Sequence, residues 1–230
     1  APSAMDNGKQ IARAMTVDEI HAVINGFGVA TDLAIRAGFD GVEIHGANGY
    51  LLDQFLQDKT NIRTDEYGGS VENRARFMLE VTDAVCSVWG AERVGMHLAP
   101  RGDAHDMGDS NPLETFSYVA RELGERGLAF ICAREHVGPD SIGPQLKQAF
   151  GGVYIANESF TKESATEILE RGDADAVAFG KTYIANPDLP RRFALDAPLN
   201  EPDVNTFYAP GARGYIDYPA LETAQAEYAN

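Results

Sequence analysis

Apolar residues recur along this chain in two alternating patterns. Amphipathic stretches with an apolar residue at every third or fourth position predict helices, and short apolar runs between them predict buried strands. We predict five strands: Val42–His45, Val94–Ala99, Leu128–Cys132, Val153–Ala156 and Ala176–Phe179. Because no hairpin signal separates them, the strands should run parallel, each joined to the next by a helix.

Capping residues predict where the helices begin and end. Thr16 and Glu19 form a capping box before a helical stretch that should end at Gly38. Ser70 is the predicted N-cap of a second long helix, and Asn111, followed by proline, is the N-cap of a third.

Two folds fit alternating strands and helices, a doubly wound open sheet and a (β/α)8 barrel. No predicted strand leads into a Gly-x-Gly-x-x-Gly loop, so the barrel is favoured, here with five of its eight strands. We therefore predict one α/β domain, a partial TIM barrel, over residues 1–230. Residues 1–15, polar and without a strand signal, form a loop or arm; residues 16–196 carry the β/α units, and residues 197–230 form a C-terminal tail.

Composition narrows the range of partners. The 230 residues, 44% of them hydrophobic, can bury one sizeable core. The formal net charge of -16 argues against binding to nucleic acid or to an anionic membrane, since both require a basic surface. No apolar run is long enough to cross a membrane. The two cysteines, Cys86 and Cys132, give no disulfide framework, so we expect a cytoplasmic protein. Since the chain lacks the basic charge that larger anionic partners require, its partners should be small molecules.

Three polar side chains follow the first predicted strand within six residues: His45, Asn48 and Tyr50. His and Asn can both donate a hydrogen bond to an electron-rich oxygen, and Tyr can supply a proton. Together they would form a set that polarises and protonates a substrate. The alternative is structural: His45 is a buried histidine with its hydrogen bonds satisfied, and Tyr50 merely begins the apolar run that follows.

Further polar residues follow the other predicted strands, whose carboxyl ends share one mouth in a barrel. They are His97, Arg134, Asn157, Glu158, Gly180 and Lys181. The last two strand ends are the usual phosphate site of this fold, and backbone N–H groups at Asn157 and Glu158 could bind a phosphate. Gly180 would leave room for the phosphate and Lys181 would add positive charge. Alternatively, Gly180 only ends a strand and Lys181 is a solvated surface residue.

Two other polar segments have competing interpretations. Residues 57–69 form a connection longer than most, which is either functional or a solvated loop. Imidazole and carboxylate donors also cluster after the second strand: His97, Asp103, His105, Asp106 and Asp109. Such a set could hold a divalent metal for lyase or hydrolase chemistry, although its spacing matches no fixed motif.

Several long segments resemble the Old Yellow Enzyme family of flavin-dependent ene reductases. They are residues 45–56, 63–74, 176–189, 207–208 and 214–219. The resemblance extends over essentially the whole chain and is strongest to bacterial members that reduce nitrate esters, nitroaromatics and N-ethylmaleimide. It implies a (β/α)8 barrel with FMN at its mouth, reduced by NAD(P)H and then passing a hydride to an activated alkene.

The resemblance also implies residue roles. The substrate-polarising pair falls on His45 and Asn48, the proton donor on Tyr50, and an aromatic contact near the flavin and substrate on Tyr208. Binding of FMN is assigned to the following residues: His97, Asn157, Glu158, Gly180 and Lys181.

Three departures from the family pattern stand out. His97 and Lys181 occupy positions where the family usually has arginine, and His97 should be only fractionally charged at neutral pH. The family's first three strands have no counterpart in this sequence. We therefore expect that a second chain could supply these strands. The alternative functions are a metal-assisted lyase or hydrolase and a non-catalytic barrel fragment that needs a partner chain.

Overall fold

The predicted caps mark the helix ends in the computed structural model, which describes residues 5–6, 11–102 and 104–221. Thr16 and Glu19 form the expected capping box, and Gly38 ends the first helix with a φ of 85°. The helices are α1 Val17–Ala37, α2 Leu51–Leu56, α3 Val71–Trp89, α4 Pro112–Glu125, α5 Gly143–Phe150, α6 Lys162–Glu170, α7 Lys181–Ala185 and α8 Leu189–Ala194. Short 3₁₀ helices span Ala91–Arg93, Ala104–Asp106 and Val204–Thr206.

The predicted parallel sheet is present, and its strands lie in the order in which they occur along the chain. Two very short strands, β1 Met5–Asp6 and β2 Ile11–Ala12, precede it. The sheet itself consists of β3 Val42–Gly46, β4 Val94–Leu98, β5 Phe130–Arg134, β6 Val153–Asn157 and β7 Ala176–Ala178. This order confirms a partial (β/α)8 arrangement in which, among the described residues, β3 and β7 are the edges of the sheet.

The two faces of the sheet differ in burial. On one face, Ile44, Met96 and Ile131 join side chains of the helices in the hydrophobic core. We call the other face the open face; its residues are Glu43, His45, Gly95, His97, Phe130, Cys132, Arg134, Val153, Ile155, Asn157, Ala176 and Ala178. Gly95 is required there because a Cβ atom would lie 2.3 Å from the Phe130 ring.

One prediction about loops was wrong, and for a second loop one of the two alternatives holds only in part. Within residues 1–15, predicted to lack strands, β1 and β2 pair antiparallel, Met5 with Ala12. Two-residue strands are too short to produce a recognisable alternation, and residues 1–4 and 7–10 of this segment lie outside the described part of the chain. Residues 57–69 are only in part a solvated loop, because Thr60, Asn61 and Tyr67 are buried whereas Ile62 is 73% exposed.

Hydrogen bonds donated by side chains hold the buried part of residues 57–69. The Asn61 amide donates to the carbonyl oxygens of Phe55 and Tyr67, at 2.5 and 2.7 Å. The Tyr67 hydroxyl donates to Glu80 at 2.8 Å, so this segment is anchored to α3. It therefore serves as scaffold for the neighbouring α2 helix.

The third predicted strand is shifted by two residues. Leu128–Cys132 was predicted, whereas β5 spans Phe130–Arg134, since Gly127 takes a φ of 73° and Leu128 still bonds to the end of α4. The shift matters because it places Arg134 at the carboxyl end of β5. Among the described residues, no helix is long and apolar enough to span a membrane, and a cytoplasmic location stays a prediction.

Candidate active site

The segment after β3 is a tight turn held by the helix that follows it. Asn48 and Gly49 have φ values of 58° and 73°, a backbone conformation that Asn and Gly tolerate best. The buried Asp53 carboxylate accepts hydrogen bonds from the Gly49 N–H at 2.9 Å and from Gln57 at 2.7 Å. Burial raises the pKa of Asp53 to about 6, even though these two bonds oppose the shift. Sequence reasoning missed this anchor, although its position four residues after Gly49 fits a local cap.

The turn brings the predicted catalytic side chains into contact. The His45 ring lies 5.4 Å from the Tyr50 ring and 5.3 Å from the His97 ring, measured between centroids. The Tyr50 ring also lies 5.4 Å from that of His105. His45 and Tyr50 are exposed rather than buried, so His45 is not the satisfied core histidine of the structural alternative.

His97 and His45 are both held in the neutral form. The pKa of His97 is lowered to about 4, mainly by burial and to a smaller extent by the positive potential of His45 and Arg134. His97 is therefore uncharged at pH 7, instead of fractionally charged as predicted. Partial desolvation of its ring beside Tyr50 and His97 also lowers the pKa of His45. The buried Nε2 atom of His97 has no hydrogen-bond partner within the described residues, which leaves it free for a ligand.

Arg134 connects three strand ends across the mouth of the sheet. Its guanidinium donates to Oδ1 of Asn48 at 3.0 Å and to Oε1 of Glu158 at 2.9 Å. Sequence reasoning placed Arg134 at this mouth but gave it no role. The contact also turns the Glu158 carboxylate toward Arg134, so its negative charge is paired instead of facing the proposed phosphate site.

A cavity of about 660 Å³ opens beside this bridge. Its lining includes Asn48, Tyr50, His105, Arg134, Asn157, Glu158, Ser159, Phe160, Ala178, Phe179, Gly180, Lys181, Thr182, Phe207 and Tyr208. Most of the predicted site residues therefore line one cavity. His45 and His97 are not in its lining, but His45 is in ring contact with Tyr50, which is, and with His97. Tyr208 is 98% exposed, so it reaches the cavity from the edge.

The proposed phosphate site has one side chain already engaged. The Asn157 amide donates to the carbonyl oxygen of Ala178 at 2.9 Å, so only its backbone is available to a ligand. A Cβ atom built on Gly180 would meet no atom within 4 Å, which shows open space at that position. Lys181 lines the cavity and makes no ion pair with any described residue. Open space beside an unpaired cation suits an anionic group.

Backbone strain is concentrated at this mouth. Asn48, Glu158 and Tyr208 have φ values of 58°, 107° and 60°, and the last two are unfavourable for residues with side chains. Such conformations cost of order 1–3 kcal/mol each and cluster at functional sites. Their convergence on one cavity supports its assignment as the active site.

The alternative metal cluster does not form within the part of the chain that the structure describes. Among the described residues, no three His, Cys, Asp or Glu side chains are placed to hold a metal. Asp109 is buried in an ion pair with Arg74 at 2.7 Å, and Asp106 pairs with Lys59 at 2.7 Å. Asp103 lies outside the described residues.

Known proteins resemble the chain in both sequence and structure. It is 44% identical over 221 residues to 12-oxophytodienoate reductase 2 of Arabidopsis thaliana, with 92% of this chain and 59% of that protein aligned. Morphinone reductase superposes with a TM-score of 0.90 at 45% identity, covering 94% of this chain and 59% of that one. For the old yellow enzyme homologue from Zymomonas mobilis, the TM-score is 0.91 at 40% identity, with 96% and 68% covered.

The chain spans about 60% of the length of the curated relatives it matches, for example 59% of the Arabidopsis protein. The narrower resemblance to bacterial nitrate-ester and N-ethylmaleimide reductases stays a prediction. Residues 1–200 match the sequence profile of one family over most of the chain. On this match, and on the two superposed structures, the chain belongs to the NADH:flavin oxidoreductase / NADH oxidase family.

Proposed function

We propose that this chain carries the acceptor site and one wall of the flavin site of an FMN-dependent ene reductase. The reaction would take a hydride from NAD(P)H to an activated alkene, such as an α,β-unsaturated carbonyl or a maleimide, or to a nitro or nitrate-ester compound. The observation that carries this proposal is the contact of His45 with Tyr50 and His97 beside the Asn48 turn.

The residues present fit an FMN. The unpartnered Nε2 atom of His97 matches a polar edge of the flavin ring, and the unpaired Lys181 beside the open space at Gly180 matches the phosphate. Backbone N–H groups at Asn157 and Glu158 would complete the phosphate site. When bound, FMN supplies the hydride transfer between NAD(P)H and the acceptor.

The polar side chains would act on the acceptor. Neutral His45 and the Asn48 amide would donate hydrogen bonds to the carbonyl or nitro oxygen, where negative charge develops during reduction. The Tyr50 hydroxyl would give its proton to the α-carbon of the alkene. Tyr208, exposed at the rim, would contact the bound substrate.

We further propose that three more β/α units complete the barrel, supplied by a second chain or by other residues of a longer protein. A closed barrel of this class has eight strands and the described sheet has five. Edge strands β3 and β7 leave backbone groups unpaired and favour additional strands. FMN should bind weakly to the isolated chain, because one wall of its site would be missing.

The binding of FMN can be measured by titrating the purified chain and following the change in flavin absorbance and fluorescence. Saturable binding should be weakened by His97→Ala and by Lys181→Ala, whereas Lys162→Ala, which removes a lysine away from this cavity, should have no effect. Equal affinities for all four proteins would contradict the cofactor assignment.

The proton-donor role has its own test. Tyr50→Phe should slow reduction of 2-cyclohexen-1-one while leaving reduction of the flavin by NAD(P)H unchanged. Only the reduction of the alkene needs the Tyr50 proton. The two half-reactions can be followed separately by anaerobic stopped-flow absorbance. Equal slowing of both would show that Tyr50 is not the donor.

A further inference from the structure

We propose that Arg134 is a positioning residue that fixes the orientation of the Asn48 side-chain amide, and that Glu158 holds Arg134 in place for this purpose. The inference rests on the proposed role of Asn48 as a donor to the acceptor oxygen. It concerns a bridge between residues far apart in sequence, at the ends of β3, β5 and β6.

The chemistry of the guanidinium settles which end of the amide faces it. Arginine carries only donors, so the Asn48 atom 3.0 Å from Nη1 of Arg134 must be the amide oxygen. The Nδ2 group of Asn48 is then left to face a ligand. Without Arg134 the amide could turn over and present its oxygen, which would repel the oxygen of a carbonyl or nitro acceptor.

The backbone around Asn48 is fixed by other contacts, so the amide rotation is the degree of freedom that remains. The Tyr50 N–H bonds to the carbonyl oxygen of Ala47 at 3.1 Å, and the Gly49 N–H bonds to Asp53 at 2.9 Å. Arg134 therefore adds orientation where the main chain cannot supply it. Its charge also polarises the Asn48 amide and strengthens its N–H groups as donors.

Glu158 holds Arg134 from a strained backbone conformation. Its φ of 107° is one that side-chain-bearing residues rarely adopt, yet this conformation aims the carboxylate at Nη2 of Arg134. Both side chains are 30% exposed, and the desolvation of the two charges offsets part of their attraction. The effect of the ion pair is to neutralise Arg134 and hold the fork of the guanidinium over Asn48, leaving Lys181 as the cation available to an anion.

The first test uses ¹H–¹⁵N NMR spectra of the chain and does not depend on bound flavin. The side-chain amide signals of Asn48, identified by their loss in Asn48→Ala, should move toward those of a solvated amide in Arg134→Met. Arg134→Lys should retain part of the wild-type shift because it keeps one donor. Arg171→Met, which removes an arginine paired with Asp173 away from the cavity, should leave the signals unchanged. Unchanged Asn48 signals in Arg134→Met would overturn the proposal.

The second test is a double-mutant cycle on ligand binding, using 2-cyclohexen-1-one as the probe. Arg134→Met should weaken binding about tenfold, as expected for loss of a charge-assisted hydrogen bond, and Glu158→Gln should weaken it less. In the Asn48→Ala background, Arg134→Met should have no further effect. An equal loss in both backgrounds would show that Arg134 acts independently of Asn48 and would overturn the proposal. If Asn48→Ala alone leaves binding unchanged, the proposed function of Asn48 is wrong, and the amide signals alone then decide whether Arg134 orients it.

Discussion

The two faces of the sheet are formed by alternating residues of the same strands, but they differ in how fully their side chains are buried. On the helix-covered face, Met96 and Ile131 are fully buried, whereas Glu43 and His45 on the open face are exposed and Val153 is 47% exposed. The helices that follow each strand cover only one side. The comparison teaches that this chain builds its own core on one face, while the other face holds the candidate active-site residues and is the face that the proposed further strands would close.

The largest expected effect is a difference in stability loss between the same substitution, isoleucine to alanine, on the two faces. Ile131→Ala, on the covered face, should lower the free energy of unfolding by about 2–5 kcal/mol through lost burial and a cavity. Ile155→Ala, on the open face, should cost about half of this or less, because its side chain is only partly buried. Urea unfolding of both variants measures the difference. Equal losses would show that the open face is already packed as a core.

The next effect concerns the rim of the open face. Replacing both His45 and Asn48 with alanine should remove about 2–4 kcal/mol of transition-state stabilisation, comparable to the loss of an oxyanion donor. The measurement is the rate of acceptor reduction in a preparation that retains its flavin. Unchanged turnover would rule out the polarising role of this pair.

A smaller effect depends on pH and on the anchor beneath the turn. The pKa of Asp53 is raised from 3.8 to about 6, so the folded state binds a proton more tightly than the unfolded state between these values. Its contribution to the free energy of unfolding should therefore fall by about 2–3 kcal/mol as the pH rises from about 4 to 6.

Asp53→Asn should remove this pH dependence, which unfolding curves at several pH values can measure. Asp175→Asn serves as a control of opposite sign. The Tyr154 N–H and Lys147 lower the pKa of Asp175, so its stabilising contribution is present at neutral pH and lost as the pH falls. Parallel pH profiles for wild type and Asp53→Asn would contradict the raised pKa.

The smallest effect tests how far the open face is desolvated. Although Glu43 is exposed, partial desolvation on the sheet raises the pKa of its carboxyl, so the carboxylate opposes folding at neutral pH. Glu43→Gln should slightly raise the free energy of unfolding at pH 7, and the gain should increase if further strands cover this face. A lower stability in the variant would show that Glu43 makes a favourable contact instead.

Much of the fold could be predicted because its signals are local. Thr16 with Glu19, Ser70 and Asn111 cap the helices where expected, and all five strands of the sheet lie within two residues of their predicted positions. Each cap satisfies an N–H group only a few residues away, so no distant part of the chain is needed to form it.

Other features escaped prediction because they depend on distant partners. Tyr67 occurs in a polar run, yet it is buried and its hydroxyl donates to Glu80 on α3. The bridge from Arg134 to Asn48 and Glu158 likewise arises only when separate strand ends meet. Asp53 is different, since it bonds to Gly49 only four residues away and was missed although its signal is local. The pattern of the sequence indicates which residues can be buried, but not which polar groups will form hydrogen bonds with each other.

The sequence by itself determined the alternation of helices and parallel strands, and it placed His45, Asn48 and Tyr50 together after one strand, because periodicity and short spacing are properties of the chain. Only the tertiary structure decided that His97 is neutral and that Arg134 faces the Asn48 oxygen. Both outcomes depend on burial and on charges brought from other strands, since desolvation and hydrogen-bond geometry are set by neighbours in space.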